Sequence, residues 1–185
     1  MSQKNTRFLI SSILFLVFLG FQIYKKYYPQ KSVLSVSEIS KQLDQNSYQV
    51  SKVIDGDTIS VLMNGKNEKI RILGINTPET VDPRRKVECF GHEASDHAKS
   101  LLTGQSVRLE SDPTQGDKDK YGRLLRYAFL PNGTDYGLEM IRSGYAYEYT
   151  YDIPYKYQKE YKSAQMTAEK AKSGLWSDKT CSGNL

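Results

Sequence analysis

The stretch Y-Q-V-S-K-V-I-D-G-D-T-I-S-V-L-M-N-G-K-N-E-K-I-R-I-L-G, from Tyr48 to Gly74, sets the architecture of the chain. Side chains alternate with period two over Tyr48–Asp55 and again over Asp57–Asn64, the pattern of strands with one buried face. Asn64-Gly65 between them and the next run is a hairpin signal, because both residue types tolerate the positive φ of a two-residue turn. Glu68–Gly74 then reads as a third strand, which Thr77-Pro78 breaks, and a polar loop runs on to Phe90. Gly91–Thr103 places Ala94, Ala98, Leu101 and Leu102 on one helical face. Gln105–Asp112 and Arg123–Leu130 read as a fourth and a fifth strand, separated by the charged loop Pro113–Gly122. Asp135–Gly144 is expected as a short helix with Gly144 as its cap. Tyr155–Ser173 is expected as a longer helix with the stripe Tyr157, Tyr161, Ala164, Ala168 and Ala171. Five short strands, a helix between the third and fourth, and helices after the fifth predict a five-stranded closed barrel of OB type. About three helices pack on it, which makes the class α+β.

Upstream, Phe8 to Tyr24 is mostly apolar, with Lys4 and Arg7 before it and Lys25 and Lys26 after it. As a helix these residues span roughly 25 Å, near the lower limit for a bilayer. No small-residue cleavage site follows Gly20, and residues 1–30 are read as a retained signal anchor or a signal peptide. Residues 31–46 read as a linker, 47–178 as the barrel domain and 179–185 as a tail. The expected location is the cell membrane, through residues 8–24 and facing outward, or the exterior after signal cleavage.

The formal charge of +5 is a property of the N-terminal segment. Residues 1–32 hold five of the 26 basic side chains and no acid, so the remaining chain carries 21 of each sign and is neutral. A general basic footprint for nucleic acid is therefore excluded, and any polyanion site must be a local constellation. Two histidines and two cysteines form no zinc or iron–sulfur pattern. No phosphate-loop, dinucleotide or nucleophile-elbow motif occurs, which leaves carboxylates and arginines to carry any chemistry.

Three clusters stand out. Asp55-Gly56-Asp57-Thr58 sets two carboxylates around a glycine at a strand junction; this is either an ordinary turn or a hard-cation site. Arg71 alternates with Ile70 and Ile72 and precedes Asn76-Thr77-Pro78-Glu79 at the strand end. Asp119-Lys120-Tyr121-Gly122-Arg123 is a charged loop entering the fifth strand. Each alone has a bland explanation as a turn, an exposed edge arginine or a solvated loop. Together, cation-holding carboxylates, two forked cations and a glutamate are the parts of phosphodiester hydrolysis.

The segments V-I-D-G-D-T (53–58), R-I-L-G-I-N-T-P-E-T (71–80), F-G-H-E-A (90–94), D-K-Y-G-R (119–123), L-E-M-I-R-S-G-Y-A (138–146) and G-L-W-S (174–177) occur in that order. As an ordered set they closely resemble the staphylococcal nuclease (thermonuclease) family over about residues 48–178. The resemblance implies an OB-fold, a bound calcium ion (Ca2+), and hydrolysis of DNA and RNA to products ending in 3′-phosphate. Matched by position, it implies that Asp57 is a calcium ligand with Asp55 beside it, and that Thr77 lends its backbone carbonyl. Arg71 and Arg123 are the implied phosphate clamps, and Glu79 is the glutamate that activates or positions water. Lys120 and Tyr121 are the implied contacts to a terminal phosphate. Asn76 departs from the family pattern by standing where a second calcium-binding aspartate is usual.

Tyr145, Tyr147, Tyr149 and Tyr151 alternate and share a face if extended, either packing on the C-terminal helix or stacking on single-stranded bases; Tyr149 and Tyr151 are the substrate-binding candidates. His92 and His97 are expected at the surface of the first helix. Cys89 and Cys181 are expected to form a disulfide between the loop before that helix and the C-terminal end. The expected enzyme is a monomeric, sugar-nonspecific nuclease acting on single-stranded or frayed DNA and RNA. The alternative is a non-catalytic OB-fold module that binds nucleic acid or protein.

Overall fold

Val50, Ile59, Val61, Ile70 and Ile72 lie on the inward face of their strands, and this shared apolar face closes the sheet. The computed structural model describes residues 18–20, 22, 24, 47–80 and 86–182. Its strands are β1 (Ser47–Val53), β2 (Thr58–Met63), β3 (Lys66–Ile72), β4 (Ile75–Asn76), β5 (Ser106–Glu110), β6 (Leu124–Phe129) and β7 (Tyr147–Glu148). Its α-helices are α1 (Gly91–Leu102), α2 (Tyr136–Arg142) and α3 (Gln158–Ala171), followed by a 3-10 turn over Gly174–Trp176. Strands β1, β2, β3, β6 and β5 form a closed barrel in that order, and β4 pairs with β7 outside it. The chain is thus a five-stranded barrel with packed helices.

The β2–β3 turn follows from its residues. Asn64 at φ 51° and Gly65 at φ 75° both take the left-handed conformation that suits the strand twist of a tight hairpin. One pairing was not legible in the alternation: β3 runs parallel to β6, with Arg71 beside Leu125, while the other barrel pairs are antiparallel.

Several boundaries differ from expectation for local reasons. β1 stops at Val53 because the amides of Ile54 and Asp55 both turn to the Thr58 carbonyl, at 3.0 and 3.2 Å. Tyr155 is buried but precedes α3, since the Lys156 amide donates to the Asp112 carboxylate at 2.8 Å instead of entering the helix. Ala171 is exposed because the chain leaves α3 at Lys172, and Leu175 of the 3-10 turn is buried instead. His97 is half-buried, not superficial, with its ring stacked 4.0 Å from that of Tyr145. The tyrosine run shares no single face: Tyr145 packs on His97 and Phe90, Tyr147 meets Trp176 edge-on, and Tyr149 and Tyr151 are exposed.

The chain divides into residues 1–40 and 41–185. The apolar run 8–24 lies largely outside the described residues, where positions 18–20, 22 and 24 are helical, and the linker 31–46 lies wholly outside them. Among the described residues no helix is long and apolar enough to cross a membrane.

A disulfide joins Cys89, just before α1, to the buried Cys181 beyond the 3-10 turn. The bond spans 92 residues of sequence, so in the chain-entropy account opening it destabilises by about 3–5 kcal/mol. A Cys89→Ser/Cys181→Ser variant should lose that much in denaturant unfolding while keeping its far-UV spectrum. Unchanged stability would show that the two ends are held without the bond.

Candidate active site

The strand register brings the charged residues to one end of the barrel. Thr58, at the start of β2, lies opposite Arg71 near the end of β3, and Arg71 lies beside Leu125 near the start of β6, just after Arg123. The Asp57 carbonyl accepts the Ile72 amide at 2.9 Å, which extends this ladder to the edge of the Asp55–Asp57 turn. Gly56 is needed in that turn because a Cβ there would meet the Thr77 side chain at 2.6 Å. The turn is also held from beneath, where the buried Tyr136 hydroxyl of α2 donates to the Gly56 carbonyl at 2.7 Å.

Asp57 is the junction of these pieces. Its carboxylate accepts from the Thr58 hydroxyl at 2.9 Å and from the Thr77 amide at 3.0 Å, and it pairs with Arg71 at 3.2 Å. Arg71 is not an exposed edge residue: its side chain is 13% exposed and sits in a central strand. One of its terminal nitrogens donates to the carbonyls of Ile72 and Ile75 at 2.7 and 2.8 Å, and the other to the Asn76 amide oxygen at 3.1 Å. Part of its donor capacity therefore holds the β3–β4 corner. Arg123 is bound differently, with Nε on Asp119 at 2.6 Å and one terminal nitrogen on the Thr58 hydroxyl at 3.2 Å.

A polar cavity of about 330 Å³ opens at this end. It brings together Asp55, Asp57, Asn76 and Thr77 with Arg71, Glu79 and Arg123, and Glu88 also lines it. Lys120 and Tyr121 lie outside its lining, on the loop beside Arg123, with the Tyr121 ring flanked by both cations. Tyr149 and Tyr151 also lie outside it, as an exposed pair with ring centres 6.4 Å apart.

Burial, reinforced by the neighbouring Asp57 charge, pushes the Asp55 carboxyl up to about 7, against the opposing pull of the Asp57 amide and Arg71. At Asp119 burial also pushes the carboxyl up, but hydrogen bonds from Arg123 and Tyr121 outweigh it and hold the carboxyl below its usual range. Among the described residues no three His, Cys, Asp or Glu side chains gather as a metal-holding group. A cation here would thus draw on mixed oxygens: the Asp57 and Asp55 carboxylates, the Asn76 amide and backbone carbonyls. That donor set, with a carboxyl whose charge is disfavoured until a cation arrives, fits a hard divalent ion.

Residues 69–178 match the family model for staphylococcal nuclease homologues. Over 176 residues the sequence is 39% identical to a thermonuclease of Staphylococcus hyicus, covering 95% of this chain and 99% of that one. The chain belongs to the staphylococcal nuclease family. A thermonuclease of Staphylococcus intermedius is 40% identical over 130 residues, 70% of this chain and 76% of its own. The endonuclease YncB of Bacillus subtilis is 36% identical over 130 residues, 69% of this chain and 60% of its own.

In this staphylococcal nuclease homologue, some residues that shape the site escaped sequence reasoning. Asp119 was legible in principle, as an acid four residues before Arg123 in the quoted loop motif. Tyr136 and Glu88 were not, because Tyr136 reaches the site from a distant segment and Glu88 lies across a loop nine residues from Glu79 with no pattern to link them.

Asp55 makes its own contribution to the pH dependence of the cation-free protein. Between about pH 4 and 7 the folded chain holds a proton on Asp55 that the unfolded chain has released, so this group's contribution to stability falls as pH rises through that window. Asp55→Asn keeps the oxygen that accepts the Asp57 amide and removes the charge. In chelator at pH 8 the variant is expected to melt above wild type, with the gap closing toward pH 5. A divalent cation should then stabilise wild type more than the variant. A variant that melts lower at pH 8 in chelator would contradict this charge balance.

Proposed function

We propose that this nuclease hydrolyses phosphodiester bonds of single-stranded or frayed DNA and RNA, depends on calcium, and leaves 3′-phosphate ends. The observation that carries the proposal is a single polar cavity lined by Arg71, Arg123 and Glu79 together with Asp55, Asp57, Asn76 and Thr77.

A phosphate seated there is drawn by the Arg71 and Arg123 guanidiniums, whose charge is worth most on the pentacoordinate transition state. Glu79 orients a water and accepts its proton as the new P–O bond forms; the bond to the 5′-oxygen breaks, and that oxygen takes up a proton from solvent. The result is a 3′-phosphate on one product and a 5′-hydroxyl on the other. Calcium, when bound, supplies further neutralisation of charge on the phosphoryl oxygens. Asp57, Asp55, Asn76 and the Thr77 carbonyl would hold it, with Asn76 contributing a dipole where a carboxylate is usual, so that weaker binding suits a calcium-rich medium.

Lys120 and Tyr121 are suited to a terminal phosphate, and Tyr149 and Tyr151 offer ring faces to splayed bases. Backbone recognition agrees with a neutral domain and the lack of a base-reading element. The apolar run 8–24 and the cysteine pair favour a protein anchored at the outer face of the cell membrane or secreted, acting as a monomer.

The test incubates the full chain with heat-denatured DNA in calcium or in chelator and determines the product ends. Cleavage to 3′-phosphate ends is expected in calcium and none in chelator. Arg123→Ala should lower turnover by roughly two or more orders of magnitude. It is a cleaner probe than Arg71→Ala, which also strips the β3–β4 corner of its hydrogen bonds. Absence of cleavage under every metal condition would return the chain to the class of binding barrels.

A further inference from the structure

The residues before α1 are tied down one after another, and the ties at Glu88 and Gly91 reach Glu79. The Glu79 amide donates to the Glu88 carboxylate at 2.8 Å, and the Glu88 amide donates back to the Glu79 carbonyl at 3.0 Å. Cys89 is bonded to Cys181. Phe90 takes a left-handed φ of 65°, uncommon for a residue with a side chain, and its ring packs 5.3 Å from that of Tyr145. At Gly91 a Cβ would meet the Thr80 side chain at 2.6 Å and the Glu79 carbonyl at 3.3 Å, so α1 begins in direct contact with residues 79–80. The Glu88 carboxylate also lines the cavity, and its charge pushes the buried Tyr147 hydroxyl of β7 further up, second to burial.

A structural loop needs no half-buried carboxylate for this purpose. A backbone carbonyl or a serine would satisfy the Glu79 amide without bringing another negative charge into a cavity that already holds several. The arrangement has a cost in charge, and its geometric result is a fixed backbone at Glu79, whose own carboxylate accepts the Thr80 amide at 2.8 Å.

We propose that Glu88 is a positioning residue for hydrolysis, acting through Glu79 and anchored by the Cys89–Cys181 bond. It rests on the reading of Glu79 as the group that orients water. Misplacing such a group by about 1 Å costs up to about 100-fold in rate, so the effect falls on turnover and not on substrate binding. Glu88 touches neither water nor phosphate in this role. It holds the Glu79 backbone so that the carboxylate arrives at one place.

The test is a double-mutant cycle on the full chain, with Glu88→Ala made in wild type and in Glu79→Gln, and kcat and KM measured separately. Glu88→Ala is expected to lower kcat about tenfold and to change KM by less than about threefold. In the Glu79→Gln background it should change kcat by less than about twofold. Glu88→Gln, which keeps an acceptor oxygen, should recover most of the loss. Hydrogen exchange at the Glu79 amide should accelerate about tenfold in Glu88→Ala, with exchange in α1 unchanged. If Glu88→Ala does not fold, Glu88→Met, which keeps the length without an acceptor oxygen, carries the same cycle. Equal losses of kcat in both backgrounds, or a Glu79 amide that stays protected, would overturn the proposal while leaving the nuclease reading intact. Full turnover in Glu79→Gln would instead remove the role given to Glu79, and the positioning role with it.

Discussion

The Asp57 carboxylate is the constraint on which the working end of the barrel depends. It accepts from Thr58 at the start of β2 and from the Thr77 amide beyond β4, and it pairs with Arg71 of β3. Two positions further along the chain, Arg71 and Thr77, are thereby fixed with Thr58 to one group 7% exposed. Such a group is costly to bury alone and strongly destabilising to break once its partners are arranged around it. Gly56 and Tyr136 serve the same junction, one by allowing Thr77 to approach and the other by holding the turn from α2.

The charge around that junction is deliberately uneven. Arg71 gives much of its hydrogen-bonding capacity to Ile72, Ile75 and Asn76, so it neutralises Asp57 while Asp55, its neighbour, is left with a carboxyl raised to about 7. Arg123 is aligned by Asp119 and by Thr58 and lies near the Tyr121 ring. The cavity lining therefore combines carboxylates that favour a cation with guanidiniums that favour an anion. The disulfide and Glu88 fix the remaining wall, where Glu79 lies.

The parts of this arrangement that depend on local pattern were readable from the sequence. Alternation over Tyr48–Gly74 and the Asn64-Gly65 turn located the first three strands, and the apolar faces located α1 and α3. The charged clusters were visible as clusters because each is short, and the ordered motifs tied them to one family. What could not be read depends on pairing across the chain. The parallel match of Arg71 with Leu125 and the pairing of Asn76 with Tyr147 leave no periodic trace. The ends of helix α3 were set by hydrogen bonds to Asp112 and by the turn at Lys172, which no hydrophobic stripe encodes. His97 looked polar and superficial but lies half-buried under Tyr145, because stacking on an aromatic ring outweighed exposure of a neutral imidazole. Glu88 was invisible because nothing in its neighbourhood links it to a residue nine positions earlier.

The most direct measurement is a calorimetric titration of calcium into the full chain, repeated on Asp57→Asn. That substitution preserves shape and one of the two oxygens that accept from Thr58 and Thr77, while removing the charge on which the account rests. One calcium per chain is expected in wild type, with affinity at least about tenfold weaker in the variant, or about 1.4 kcal/mol. No binding at millimolar calcium, or binding undiminished in Asp57→Asn, would contradict the account at its centre.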